Sequence, residues 1–159
     1  MIFITLGSQK FQFNRLLMAI DKLVSDGVVK EPVYAQRGNS DYIPVNYESI
    51  DFLNREQFGE IMDRASIIIT HAGTGAIMGA VKRGKKVIAV PRKQEFGEHV
   101  DDHQFQIVDE FAQMNIIEPC YDIDELEKAY NNTFVKEYAA YESNTNAFID
   151  AIEKFMESI

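Results

Sequence analysis

The segment Ser66-Ile67-Ile68-Ile69-Thr70 is apolar and β-branched, without the alternation of a strand that keeps one face in water. It runs straight into His71-Ala72-Gly73-Thr74-Gly75-Ala76, a turn of glycines and small residues. A strand buried on both faces needs helices on both, and that arrangement arises when helices cross between parallel strands. The remaining chain fits the pattern. Strands are expected at 1–6, 32–36, 47–52, 66–70 and 86–90, with a weaker one at Ile116-Ile117. Phe13, Leu16, Leu17, Ile20, Leu23 and Val24 recur at helical spacing, and Gly27 stands where a helix cap belongs. Phe58, Ile61, Met62 and Ala65 mark a second helix. Ile77, Ala80 and Val81 mark a third, ended by Gly84. Val100, Ile107, Val108, Phe111 and Ala112 mark a fourth. The expectation is an α/β fold built on a doubly wound parallel sheet. The 159 residues contain no repeat or linker, so they form a single domain, 1–159.

The tail at 134–159 differs in character. Phe134, Tyr138, Tyr141, Phe148, Ile152, Phe155, Met156 and Ile159 make an apolar stripe, broken by Ser143-Asn144-Thr145-Asn146. A C-terminal helical tail packed on the core is expected, with docking on a partner or a membrane surface as the alternative. Its acids (Glu137, Glu142, Asp150, Glu153, Glu157) oppose attraction to anionic lipid.

A net charge of −9 disfavours nucleic acid as a partner, because that affinity rests on neutralising phosphates. The charge is uneven. Residues 81–94 hold six basic groups and no acid, whereas 95–159 carry a net −13. Such an island suggests a local anion site, or else a solvated helix end. Cys120 has no partner for an internal disulfide, which fits a reducing cytosol, and it reads as a small buried residue. No apolar run approaches the roughly 20 residues of a membrane span, and the opening strand-like residues lack a signal-peptide pattern. A cytoplasmic location is therefore expected.

In open parallel sheets, ligands bind beyond the carboxyl ends of the strands. Gly7-Ser8-Gln9-Lys10 and His71–Ala76 are two such loops. Small residues let a ligand reach the backbone, and free amides at a helix start suit a phosphate or diphosphate. A third loop, Pro91–His99, leads into Asp101-Asp102-His103-Gln104, whose acid, imidazole and amide groups can hydrogen-bond a sugar. Neither G-x-G-x-x-G nor a Walker A sequence is present, which disfavours a dinucleotide oxidoreductase and a P-loop NTPase. His99 and His103 lack the H-E-x-x-H context. Asp122-Ile123-Asp124 reads as a helix N-cap with reciprocal capping by Glu125 rather than as a metal-binding D-x-D, so no metal is expected.

Taken together, Ile68–Gly75, Val87-Ile88-Ala89-Val90-Pro91 and Asp101-Asp102-His103-Gln104 resemble the donor-binding signature of family 28 glycosyltransferases. The fold implied is Rossmann-like, equivalent to the C-terminal half of a GT-B glycosyltransferase. Residues 3–11 and 84–92 look like the bacterial PssE-type exopolysaccharide and capsule glycosyltransferases. The chain is also similar to the catalytic subunit of the two-part UDP-GlcNAc transferase of dolichol-linked oligosaccharide synthesis. By this resemblance His71, Ala72, Gly73, Thr74 and Gly75 would hold a UDP diphosphate, with Arg92 adding charge stabilisation. Gln104, His103 and Asp102 would contact the transferred sugar, and Phe52 and Leu53 would border the uracil. Gly7 and Ser8 would lie at the cleft between donor and acceptor. Where the family 28 relative that adds GlcNAc to the lipid precursor of peptidoglycan carries a ribose-binding carboxylate, this chain reads Ile77-Met78-Gly79-Ala80.

Inverting transfer needs a base on the acceptor hydroxyl, and the first loop has no His, Asp or Glu, so no catalytic residue is assigned. The resemblance implies the donor-binding catalytic subunit of an inverting UDP-sugar-dependent glycosyltransferase. It would act on a lipid-linked sugar in exopolysaccharide or capsule synthesis. A membrane-associated partner subunit would supply the acceptor half and recruit the chain to the inner face of the membrane. No cofactor is implied beyond the UDP-sugar substrate. A non-catalytic nucleotide-sugar-binding regulatory subunit is the alternative, and a homo-oligomer stays open.

Overall fold

The computed structural model describes residues 1–140 and 146–158. Six strands form one parallel sheet: β1 (Ile2–Thr5), β2 (Val33–Gln36), β3 (Glu48–Ile50), β4 (Ile67–His71), β5 (Lys86–Val90) and β6 (Glu118–Pro119). Their order is β3-β2-β1-β4-β5-β6. Between them run α1 (Asn14–Ser25), α2 (Arg55–Arg64), α3 (Thr74–Lys82), α4 (His103–Gln113) and α5 (Leu126–Asn132), and α6 (Asn146–Ser158) follows.

Successive side chains of a strand point to opposite faces, and here both faces are dry. Ile2 and Ile4, Ile67 and Ile69, and Ile88 and Val90 join Leu16, Leu17 and Ile20 of α1 and Leu126 of α5 in one cluster. Phe3, Ile68, Val87 and Ala89 join Met62 of α2, Ile77 and Ala80 of α3 and Val108 of α4 in the other. That division explains the unbroken isoleucine run: alternate residues serve alternate layers. Each such large side chain contributes about 1.5–3 kcal/mol through burial. Gly27 and Gly84 follow α1 and α3 with φ of +77° and +71°, the left-handed conformation that stops a helix cleanly.

Several expectations change. Helix α4 begins at His103, so Val100 is not on its apolar face and is 61% exposed. The last strand is Glu118–Pro119, while Ile116 and Ile117 pack in the second cluster just before it. Asp122 does cap, accepting from the Asp124 amide at 2.9 Å, but the reciprocal Glu125 arrangement is replaced by a short 3-10 turn. Cys120 is buried, and its thiol donates to Asp122 O.

The basic island is divided by the full length of β5. At its near end Arg83 pairs with Asp63 (2.9 Å), and Lys85 and Lys86 donate to Asp63 O and Thr133 O. Only Arg92 and Lys93 reach the carboxyl end of the sheet. The island is therefore not one anion site.

The tail is anchored by polar contacts more than by a continuous apolar stripe. Buried Glu118 accepts from Asn132 Nδ2, Lys136 Nζ and Tyr138 Oη at 2.7, 3.0 and 2.8 Å. Ile152 packs against the second cluster, whereas Phe134, Ile149 and Met156 stay largely exposed. Tyr141, Ser143, Asn144, Thr145, Ile159 and the side chain of Phe148 lie outside the described residues. Among the described residues, no helix is long and apolar enough to cross a membrane.

The sheet order reverses next to β1, with β2 on one side and β4 on the other. Crossovers leave on opposite faces there, so a crevice opens beyond Thr5 and His71.

Candidate functional site

Each helix starting at this end of the sheet leaves amide N–H groups without an intrahelical partner. Three are answered by side chains. Gln12 Oε1 accepts from Asn14 N at the start of α1 (2.9 Å), and Asp101 Oδ1 from His103 N at the start of α4 (3.0 Å). At α2 a complete capping box forms: Asn54 Oδ1 accepts from Gln57 N (2.8 Å), and Gln57 Oε1 from Asn54 N (3.2 Å). Helix α3 is different. Its N-cap is Gly73, which makes no side-chain cap, and the first intrahelical bond runs from Ile77 N to Gly73 O. The amides of Thr74, Gly75 and Ala76 precede that bond. A Cβ at Gly75 would meet nothing within 4 Å. The partial positive charge of this helix start thus faces open space, an arrangement suited to an anion.

Beside it stands His71, the last residue of β4. Its ring occupies space that two glycines leave. A Cβ on Gly73 would lie 2.0 Å from His71 Cε1, and one on Gly7 would lie 2.5 Å from Nε2. Gly7 also has φ +73°, where an L side chain is strained. The glycines at 7 and 73 therefore admit a side chain of the protein, not only a ligand. Nδ1 of His71 is buried with no hydrogen-bond partner among the described residues. Burial, aided by the positive charge of Arg92 and by His99, lowers this imidazole from 6.5 to about 3. His71 is neutral near pH 7, with one ring N–H to donate and one nitrogen to accept.

Gln104 and Arg92 tie the loops together. Gln104 Oε1 accepts from Ala72 N (3.3 Å) and Arg92 N (3.0 Å), which leaves its NH2 group as the end with donors to offer. Arg92 is 2% exposed. Its Nη2 donates to Leu6 O (2.6 Å), and its Nη1 to Phe11 O, Gln12 O and Glu98 O (3.2, 3.1 and 3.2 Å). Burial lowers this guanidinium to about 10, with Glu98 opposing the shift, so it stays charged near neutrality. Arg92, expected to add charge stabilisation at a diphosphate, keeps its charge but directs its donors to backbone carbonyls. Glu98, fully buried, is gripped by Arg15 Nε and Nη2 at 2.8 and 3.0 Å. Sequence reasoning singles out neither Arg15 nor Glu98 as a site residue, since their pairing spans 83 positions.

The other expected residues divide by exposure. Ser8, Phe52, Asp102 and His103 are exposed. Phe52 reaches toward Gly7 across Gly38, whose absent Cβ would lie 2.7 Å from Gly7 O and 4.0 Å from Phe52 Cε1. Leu53 turns instead into the second cluster, and its amide donates to Gln36 Oε1 (2.8 Å). Asp102 Oδ1 accepts from Gln94 N (2.9 Å). Asp101 lies between His99 Nδ1 (3.2 Å) and His103 Nδ1 (3.3 Å), and the His103 amide holds its carboxyl below the usual range. No group of three or more His, Cys, Asp or Glu that could hold a metal occurs among the described residues.

Comparison with known proteins bears on the fold and the family. Over 87 residues the chain is 30% identical to the UDP-N-acetylglucosamine transferase subunit ALG13 of Candida albicans, a match covering 54% of this chain and 27% of that protein. The chain thus spans about a quarter of that relative's length. An NMR solution structure of ALG13 superposes with a TM-score of 0.61 at 18% identity, covering 95% of this chain and 93% of that one. Acinetobacter baumannii MurG superposes at 0.59 with 17% identity, covering 84% of this chain and 40% of that one. The calicheamicin glycosyltransferase CalG4 gives 0.60 and 16%, with 82% and 34% covered. These structures share the fold, and the sheet here matches the C-terminal half of GT-B glycosyltransferases. Residues 1–159 match the glycosyltransferase family 28 C-terminal domain in full, and the chain belongs to that family.

Proposed function

We propose that this domain is the donor-binding, catalytic subunit of an inverting UDP-sugar-dependent glycosyltransferase. One observation carries the reading: among α1 to α4, α3 alone has no first-turn amide accepted by a side chain, and a neutral histidine stands beside it. The diphosphate accepts from the amides of Thr74, Gly75 and Ala76 and from the ring N–H of His71. These dipoles are fixed before the reaction, so they stabilise charge gathering on the leaving diphosphate without reorganising. Gln104 turns its NH2 group, with His103 and Asp102, toward the hexose, and Phe52 lies against the uracil. Because amides take up the charge, the reading requires no metal.

The acceptor side comes from a second, membrane-associated subunit, which holds this cytoplasmic chain at the inner face of the membrane. The name of the Candida relative, a transferase subunit, supports a partner and a UDP-sugar donor. The likeness of 3–11 and 84–92 to bacterial exopolysaccharide and capsule enzymes supports a lipid-linked sugar acceptor.

Thermal unfolding with UDP, UDP-GlcNAc, UDP-glucose, UDP-galactose and NAD tests the donor assignment. A uridine nucleotide at 100 times its Kd should stabilise the fold by about 2.7 kcal/mol. Amide NMR shifts should centre on residues 73–76. Stabilisation by NAD alone would overturn the assignment, and full-rate transfer to a lipid-linked acceptor by the isolated chain would remove the partner.

A further inference from the structure

Arg92 heads the largest fully buried side chains of the molecule. A guanidinium is a costly group to bury, and cores commonly gain stability when such charges give way to apolar residues of similar size. Its surroundings here are specific. One planar fork holds Leu6 O, immediately before Gly7; Phe11 O and Gln12 O, at the far end of the same loop; and Glu98 O, on the loop after β5. Phe13 lies 5.0 Å beneath the guanidinium carbon. The Arg92 amide shares Gln104 Oε1 with Ala72, so the chain of contacts continues to the loop after β4. Glu98 is braced from its other side by Arg15 of α1. Two loops from two strand ends are thus fastened to one buried side chain, and the backbone amide of the same residue joins them through Gln104 to a third.

We infer that Arg92 is a positioning residue for donor binding. It holds both ends of the 6–12 loop against the 91–98 loop, so that Gly7, His71 and the open start of α3 keep one mutual geometry. The inference rests on the donor site proposed above and adds the residue that sets its shape. Lysine cannot replace the fork: an ammonium is a point charge with three divergent donors, whereas guanidinium presents coplanar pairs.

The test combines UDP titration calorimetry, thermal unfolding and amide hydrogen exchange on the full chain and on Arg92→Lys, Arg92→Met and Glu98→Gln. For Arg92→Lys the Kd for UDP should rise about tenfold. Exchange should quicken in peptides covering 6–13 and 91–99, with 67–70 still protected. Arg92→Met should weaken UDP further, making lysine a partial rescue. Glu98→Gln should show the same pattern more mildly, and it decides the matter if both Arg92 variants fail to fold. Weakened UDP with unchanged loop exchange would mean that Arg92 touches the ligand, and would overturn the inference. So would faster exchange and a lower Tm with the Kd unchanged, which is the signature of a scaffold role alone. If the unaltered chain binds no UDP, the donor-site reading fails separately. Loop exchange in the unliganded variants still decides whether Arg92 fastens the loops: unchanged exchange refutes it.

Discussion

Helices α2 and α3 start at the same end of one sheet, after β3 and β4, and treat their first turns in opposite ways. Asn54 and Gln57 close α2 from within the chain. Gly73 leaves α3 open, and the nearest imidazole has a buried nitrogen without a partner. A capped helix start satisfies the fold alone, and an uncapped one beside an unsatisfied polar atom is tolerated where something outside the chain completes it. The contrast distinguishes these two turns more sharply than glycine content does.

Substitutions can break the contrast. Gly73→Ala has the largest expected effect, because its methyl group claims the place of the His71 ring. A loss of about 2 kcal/mol is expected by denaturant unfolding. UDP binding should be lost with it, and a Gly73→Ala/His71→Ala double variant should recover the stability but not the binding.

Next comes pH. The folded chain keeps His71 neutral down to about 3, while the unfolded chain protonates it near 6.5. The unfolded state therefore binds the extra proton between those values. The contribution of His71 is complete above 6.5 and is lost as pH falls, at about 1.4 kcal/mol per pH unit. His71→Asn should flatten that part of the stability profile relative to the unaltered chain.

Asn54→Ala should cost about 1 kcal/mol, the worth of a cap, and leave UDP affinity unchanged. An effect on binding would show that the two helix starts are not independent. Gly75→Ala is the smallest in stability, a gain of about 0.5 kcal/mol from helix propensity. It should nonetheless weaken UDP, since its methyl group would stand where the diphosphate approaches. Unchanged affinity would move the ligand away from α3.

What was legible in the sequence follows from how locally each feature is encoded. The unalternating Ile67-Ile68-Ile69 declares a strand covered on both faces, and with it the α/β class. Gly27 and Gly84 declare helix ends. The loop after β4 is legible because its small residues are contiguous. The role of Arg92 is not legible in the sequence, because its partners are backbone carbonyls as far as 86 positions away, and a carbonyl leaves no mark in composition. The basic island divides for a related reason: five residues of extended strand carry its two parts to opposite ends of the sheet, leaving Lys82, Arg83 and Lys85 at a helix end. Leu53 and Phe52, adjacent in the chain, part company in the loop between β3 and α2, where the Leu53 amide is held by Gln36 Oε1 and its side chain joins the second cluster. Val100 was assigned to a helix by its spacing, yet Asp101 fixes the start of α4 beyond it.

The shared anchorage of the 6–12 and 91–98 loops has a consequence for engineering. A chimaera that grafts either segment alone from a homologue would bring a loop shaped around a different buttress, and the recipient would inherit a mismatch at its centre. Retuning the proposed donor site should therefore succeed when both segments are exchanged as a matched set, together with the arginine that joins them.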